Sequence, residues 1–330
     1  MKNFFTSLVI FASLFFSTCL LAQTAMVQVI HNSPDPLASE VDVYLGSELI
    51  LNDFAFRTST PFVELPAGSE IVLTVAPSTS TSVADGIAAF PVTLTENETY
   101  VVVASGLVNP LGGFTPFQQF DLKIFPAALM TADPGKTRVL VYHGSTDAPT
   151  VDIVETSVPT GILVDDISYG SFSNEYLDLP TADYVLAVQT ADNSTTVQSY
   201  SAPLATLGLE EMALVALASG FLDPSVNANG PAFGLFVSLP AGGELVELPV
   251  AITTGIADYK NLKKVNVYPN PASDYIIVSS EVENAQITDM SGTFSLNISP
   301  DANGRILVSG LQPGTYILKS QNTVSQFVVK

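Results

Sequence analysis

The chain has 330 residues, 11 basic and 32 acidic, for a formal net charge of −21. Hydrophobic residues make up 47%, which excludes wholesale disorder, and the acidity argues against nucleic acid or an anionic membrane surface, both of which are met by Lys and Arg. The single cysteine, Cys19, excludes a disulfide framework and a cysteine-ligated zinc site, and two histidines leave little material for imidazole chemistry.

In chain order, residues 1–22 come first. Lys2 precedes an apolar run from Phe4 to Phe16, and Leu20-Leu21-Ala22 ends it in a small residue. This is the layout of a secretory signal peptide, too short to span a bilayer, with cleavage expected between Ala22 and Gln23. Cys19 then leaves with the signal. Charge divides what remains. Residues 23–132 hold 2 basic and 11 acidic residues, residues 133–250 hold 2 and 15, and residues 251–330 hold 6 of each. The shift near 251 marks a module boundary. Residues 251–264 have the small, polar and basic character of a linker.

The two acidic stretches resemble each other. VQVIHNSPDP (27–36) matches VLVYHGSTDA (139–148), and VDVYL (41–45) matches VDIVE (151–155). VVVASGLVNP (101–110) matches LVALASGFLDP (214–224). The spacing implies one unit of about 112 residues occurring twice, long enough to fold alone. Runs such as Val27–Ile30, Val41–Leu45, Ile71–Val75 and Tyr100–Ala104 are β-branched and aromatic, separated by Ser, Pro, Asp, Asn and Gly clusters. No window of the mature chain sustains a helical apolar period; Leu207–Ala218 comes nearest and reads as strand, like its partner in the first unit. The expected fold class is all-β: tandem antiparallel, Ig-like β-sandwiches at 23–132 and 133–250, then a small C-terminal Ig-like β-sandwich at 265–330.

The opening of each unit resembles the domain-of-unknown-function family 4397, whose members begin with a strand ending in His, a Ser-x-Asp turn and Val-Asp-Val. The matching residues are His31, Ser33, Pro34, Asp35, Val41, Asp42, Val43 and Tyr44, then His143, Ser145, Asp147, Ala148, Pro149, Val151, Asp152 and Ile153. The first copy has two extra residues before Val-Asp-Val, and the second has Thr146 where the family usually has Pro. The resemblance implies an extracellular β-rich module over roughly 23–250, but the family label brings no activity with it.

VNVYPNPASDYIIVSS (265–280) resembles the start of the type A sorting domain of the type IX secretion system. Tyr268, Pro269, Asn270, Pro271 and Asp274 fill its first motif, Asp289 to Gly292 the second, and Leu311 to Leu318, with Gly314 and Tyr316, the third. The prolines hold the opening strand out of helix, and Gly292 and Gly314 are expected to supply hairpin dihedrals. The resemblance implies the type IX secretion machinery as partner, export across an outer membrane, and a secreted or cell-surface location, with no membrane span in the mature chain.

His31, Ser33 and Asp35, like His143, Ser145 and Asp147, are triad residue types, but each set falls within five residues on one strand end and turn. A working triad converges from separate elements. The expectation is therefore structural: Ser and Asp bond nearby backbone in a turn and His packs at the strand end. Asp35, Asp42, Asp147 and Asp152, with Asp165 and Asp166, are candidates for an oxygen-rich calcium site, although no Ca-loop motif is present. The leading functional expectation is a non-enzymatic secreted or surface protein with binding or adhesive modules and no catalytic residue, cofactor or assigned metal. The alternatives are a calcium-stabilised carbohydrate-binding accessory protein and an extracellular hydrolase.

Overall fold

The computed structural model describes residues 23–156, 161–192, 194–251, 263–278, 282, 285–289, 295–301, 303–320 and 323–330. The signal segment 1–22 with Ala22, most of the linker, and Gly292 lie outside the described residues. The chain forms two compact units, Met1–Ala251 and Ile252–Lys330. Both are β throughout; among the described residues the only helical pieces are three single 3-10 turns, Pro36–Ala38, Val83–Asp85 and Pro224–Val226.

In the first unit each half contributes two sheets. The first half sets strands Glu48–Ala55, Glu40–Leu45, Glu70–Pro77 and Ala88–Thr93 side by side as an antiparallel sheet. Its other sheet carries Thr24–His31, Thr99–Ser105 and Asp121–Pro126. In the second half Gly161–Ile167, Val151–Glu155, Asp183–Thr190 and Thr196–Pro203 form the antiparallel sheet. Leu177–Pro180, Lys136–His143, Ala213–Ser219 and Gly234–Ser238 lie in order in its other sheet. The segment read as strand over 207–218 begins pairing as a strand only at Ala213, after a run of turns.

One pairing in each half departs from a purely antiparallel sandwich. Thr24–His31 runs parallel to Thr99–Ser105, with His31 opposite Ala104. Lys136–His143 runs parallel to Ala213–Ser219, with His143 opposite Ala218.

These central strands are buried on both faces, as their unbroken apolar runs require. Strand alternation explains the division of labour. Tyr100 and Val102 pack inside the first half, whereas Val101 and Val103 point the other way. Leu214 faces the interior of the second half, whereas Val215 and Leu217 face away from it. The outward sets meet: Ile30, Val101 and Val103 of the first half share one core with Leu140, Tyr142, Val215, Leu217 and Phe236 of the second. The body is a stack of four β layers with a third apolar interior where the halves join. The two-residue strand Gly243–Glu244 extends this join by pairing with Thr58–Ser59 at the edge of the first half's sheet.

The second unit holds a sheet in which Ala285–Asp289, Gly314–Ser320 and Thr323–Val329 are neighbours, and a short pair, Tyr275–Ile277 with Arg305–Leu307. Its core is built on Ile276, Ile287, Ile306, Leu318 and Phe327.

Candidate functional site

The first repeated turn is a buried hydrogen-bond knot. His31 is fully buried at its strand end. Its Nε2 lies 2.7 Å from the Ala38 carbonyl, and its Nδ1 accepts from the Ser33 N–H at 3.3 Å. A carbonyl only accepts and an N–H only donates, so the ring is the neutral Nε2–H tautomer. Burial drives its pKa down to about 4, against the smaller pull of the Ala38 carbonyl. Ser33 Oγ donates to the Gly106 carbonyl at 2.6 Å. Asp35 caps the turn by accepting from the Leu37 N–H at 2.9 Å, and its second oxygen accepts from the Val108 and Asn109 N–H groups at 2.9 and 3.0 Å. The hydroxyl, imidazole and carboxylate thus each serve backbone groups.

The second turn repeats the pattern with differences. His143 Nε2 lies 3.0 Å from the Pro149 carbonyl, and burial lowers its pKa too, but its buried Nδ1 has no partner. Ser145 donates to the Gly220 carbonyl at 2.8 Å. Asp147 accepts from the Leu222 and Asp223 N–H groups and from the Asn227 side chain. Thr146, standing in the usual Pro position, buries a hydroxyl without a partner.

Asp42 and Asp152 sit opposite β-bulges. A bulge puts two residues across from one. The pairing of Val41 with Phe54 and Val43 with Leu51 leaves Asn52 and Asp53 facing Asp42. The pairing of Val151 with Ile167 and Ile153 with Val164 leaves Asp165 and Asp166 facing Asp152. Of the six aspartates considered from the sequence for a cation site, the structure gathers three, Asp152, Asp165 and Asp166, with one oxygen of each within 4.8 Å of the others. Asp35 is engaged as a turn cap instead, and Asp147 by the Leu222 and Asp223 N–H groups and the Asn227 amide.

Sequence reasoning missed an internal cavity. Between the two sheets of the second half lies a space of about 110 Å³ lined by Val139, Val188, Ala202, Leu214, Val237 and Leu248, among other apolar side chains. His143 also lines it. So do Val197 and Leu222, both exposed, which brings the cavity to the surface. A cavity is a mismatch of volumes between sheets, and no motif announces it.

In the C-terminal unit Asn270 joins the Tyr-Pro-Asn-Pro segment to the final strand. Its amide donates to the Gln326 carbonyl at 3.3 Å, and its carbonyl accepts from the Val328 N–H at 3.0 Å. The backbone carbonyl of Asp274 accepts from Val308 and Ser309. Tyr316 stacks on Phe327 and donates its hydroxyl to the Gln312 carbonyl. Gly314 simply begins a strand, without the positive φ expected of it; Gly304 carries one, at +72°, where a Cβ would lie 2.6 Å from the Val278 carbonyl.

Residues 25–154 match the model of a domain of unknown function, DUF4397, and residues 266–330 match that of the secretion system C-terminal sorting domain. Among curated proteins no sequence matches the chain. Among solved structures, the Bacillus anthracis TIE protein is similar at 9% identity over 94% of this chain and 48% of that one, with a TM-score of 0.18. The chain therefore spans about half the length of that protein, and a likeness this low carries no argument about fold or function. The two family matches agree with the turn and Tyr-Pro-Asn-Pro residues described above: residues 25–154 carry a DUF4397 domain, and residues 266–330 carry a type IX secretion sorting domain, which engages that machinery and directs the protein to the outer-membrane surface or the exterior.

Proposed function

We propose that the exported body is a non-enzymatic binding protein whose second half takes a small apolar molecule, or the end of an acyl chain, between its sheets. The observation that carries this reading is the apolar cavity. At about 110 Å³ it approaches the engineered apolar cavities of about 150 Å³ that stay dry and accept benzene-sized guests. A void in a packed interior is destabilising unless something fills it. The first half, with the same sheet order, packs its corresponding interior with Leu65, Leu94, Tyr100, Val102 and Phe120. His143 adds one polar point to the wall. Its Nε2–H is committed to the Pro149 carbonyl, so the wall offers a guest little polar contact there.

The engagement of His31, Ser33 and Asp35 with backbone groups supports the non-enzymatic reading, since the hydroxyl and imidazole are not bonded to each other. The test is a series of straight-chain alcohols added to the mature protein, read by calorimetry and thermal melting. Binding should rise with chain length and then stop when the cavity is full. Ala216→Phe, which fills the space from the central strand, should abolish binding while leaving the chain folded. Alcohols that leave the melt unmoved, or that bind the variant equally well, would sink the proposal.

A further inference from the structure

We propose that Asp152, Asp165 and Asp166 form a calcium site in the second half of the body, and that the first half carries the same scaffold with the site filled by hydrogen bonds instead. The two bulges permit a comparison within one chain. In both, the second bulge residue adopts a positive φ, 53° at Asp53 and 50° at Asp166. In both, its N–H donates to the facing carboxylate, Asp53 to Asp42 at 3.0 Å and Asp166 to Asp152 at 2.7 Å. The backbone is therefore the same, and the difference lies in the side chains.

In the first half every carboxylate oxygen that faces inward has a proton donor. Asp42 Oδ2 accepts from the Ser80 hydroxyl at 2.5 Å, and that hydroxyl is itself within 2.8 Å of the Tyr44 hydroxyl. Asn52 donates its amide to Asp53 at 2.5 Å. Two negative charges are met by a hydroxyl and an amide. In the second half Asn52 is replaced by Asp165, which removes a donor and adds a charge. No described hydroxyl reaches Asp152, whose Oδ2 is buried without a partner on a residue with no exposed surface. Three carboxylates converge, and none of them has a salt bridge among the described residues.

A buried carboxylate oxygen without a donor is costly, and two further carboxylates beside it raise that cost. A hard divalent cation removes both penalties. Calcium–oxygen bonds are about 2.3–2.6 Å, and with one oxygen of each carboxylate within 4.8 Å of the others, a small rotation of the exposed Asp165 and Asp166 side chains brings all three onto one ion. Asp165 and Asp166 are exposed and leave room for water to complete the shell. Calcium fits better than magnesium because it accepts irregular oxygen cages and sheds water more readily, as a buried ligand such as Asp152 demands.

The experiment is a calcium titration of the full mature chain by calorimetry, with thermal melting in calcium and in chelator, repeated with magnesium. One ion should bind in the roughly 0.1–1 mM range of extracellular sites and raise the melting temperature. Asp165→Asn restores the first half's residue on an exposed position and should still fold; it should weaken calcium binding at least about tenfold, the change expected from removing one direct ligand charge. Because the chain is strongly acidic, diffuse cation binding is the competing explanation, and Glu175→Gln on the same half serves as its control. Calcium binding that Asp165→Asn leaves intact, or that Glu175→Gln weakens equally, overturns the site. Magnesium binding as tight as calcium overturns the assignment of the ion.

Discussion

The guanidinium of Arg57, in the first half of the body, lies 4.0 Å over the ring of Phe236 in the second. The same group donates to the Ser219 hydroxyl and carbonyl and to the Ala232 carbonyl, so one cation ties three points of the other half. Burial pulls its pKa down, while the charge of Glu247 pulls it back up. Arg57→Lys keeps the charge but loses the planar fork and its stacking on the ring. It should lower the stability of the body by about 1–3 kcal/mol, the range for lost charge-assisted hydrogen bonds. A urea melt of the variant is the check, and an unchanged midpoint would mean the join does not depend on this residue.

The shared interior leads to a second expectation. A separated first half would expose Ile30, Val101 and Val103, and a separated second half Leu140, Tyr142, Val215 and Leu217. Each half has its own sandwich core and should keep its β-structure, but the bared sheet face should make it self-associate. The two expressed apart should recombine when mixed. Sedimentation of each half, then of the mixture, decides this; two well-behaved monomers that ignore each other would refute it.

Much of this was legible in the sequence, and what was not has identifiable causes. The paired His-x-Ser-x-Asp turns and the Tyr-Pro-Asn-Pro segment are local, and local chemistry is what a sequence displays best. Val101-Val102-Val103 and Leu214-Val215 were readable as strands, but their unbroken apolar character also meant burial on both faces, and that points to the shared interior. The parallel pairing of the opening strands was hidden because strand direction depends on distant partners. Asp165 and Asp166 were candidate calcium ligands together with four other aspartates, but which of those four they face depended on the bulge at Val151–Ile153, which sets them opposite Asp152. Gly314 was expected to take a hairpin dihedral but begins a strand, and the positive φ of the described part of the tail falls at Gly304, in a different connection.

Acid should weaken the body before its carboxylates titrate. An unfolded histidine binds its proton near pH 6.5, whereas folded His31 holds out until about 4. Between those values the unfolded chain carries more protons, so stability falls as pH drops through the window, by up to about 3 kcal/mol from His31. His143 is shifted the same way and adds to the loss. Urea midpoints at pH 7 and pH 5 test this. His31→Asn should be less stable at pH 7 yet lose less on acidification, and an identical pH slope in the variant would rule His31 out as the cause.

Asp35 and Asp147 are expected to be structural. Asp35 serves three backbone N–H groups and Asp147 two, along with an amide. Asp35→Ala strands Val108 and Asn109 donors in a partly buried loop, which should cost about 1–3 kcal/mol. Asp147→Ala should cost somewhat less, because its surroundings are more exposed. Melting of each variant beside the alcohol-binding assay separates scaffold from site: an unchanged melt with lost binding would move either residue into the binding surface.

In the tail, Asn270 is the residue on which the sorting segment hangs. Its side-chain amide pairs with the backbone at Gln326 and Val328 as a neighbouring strand would, and Ala272 continues the contact by donating its N–H to the Val328 carbonyl at 2.7 Å. The flanking residues Pro269 and Pro271 have no N–H to offer, so the asparagine side chain supplies the donor that the backbone lacks there. Asn270→Ala should leave the core around Ile276, Ile287 and Phe327 intact, cost the C-terminal unit about 1–2 kcal/mol, and loosen the opening segment from the last strand. If the machinery reads that docked arrangement, export should fall sharply while the body remains folded inside the cell. Asn270→Asp keeps the acceptor for Val328 but loses the donor to Gln326, and should fall between. Fractionation of cells expressing each form measures the outcome, with removal of 265–330 as the full-loss reference. Normal surface delivery of Asn270→Ala would show that the machinery reads other features of the tail.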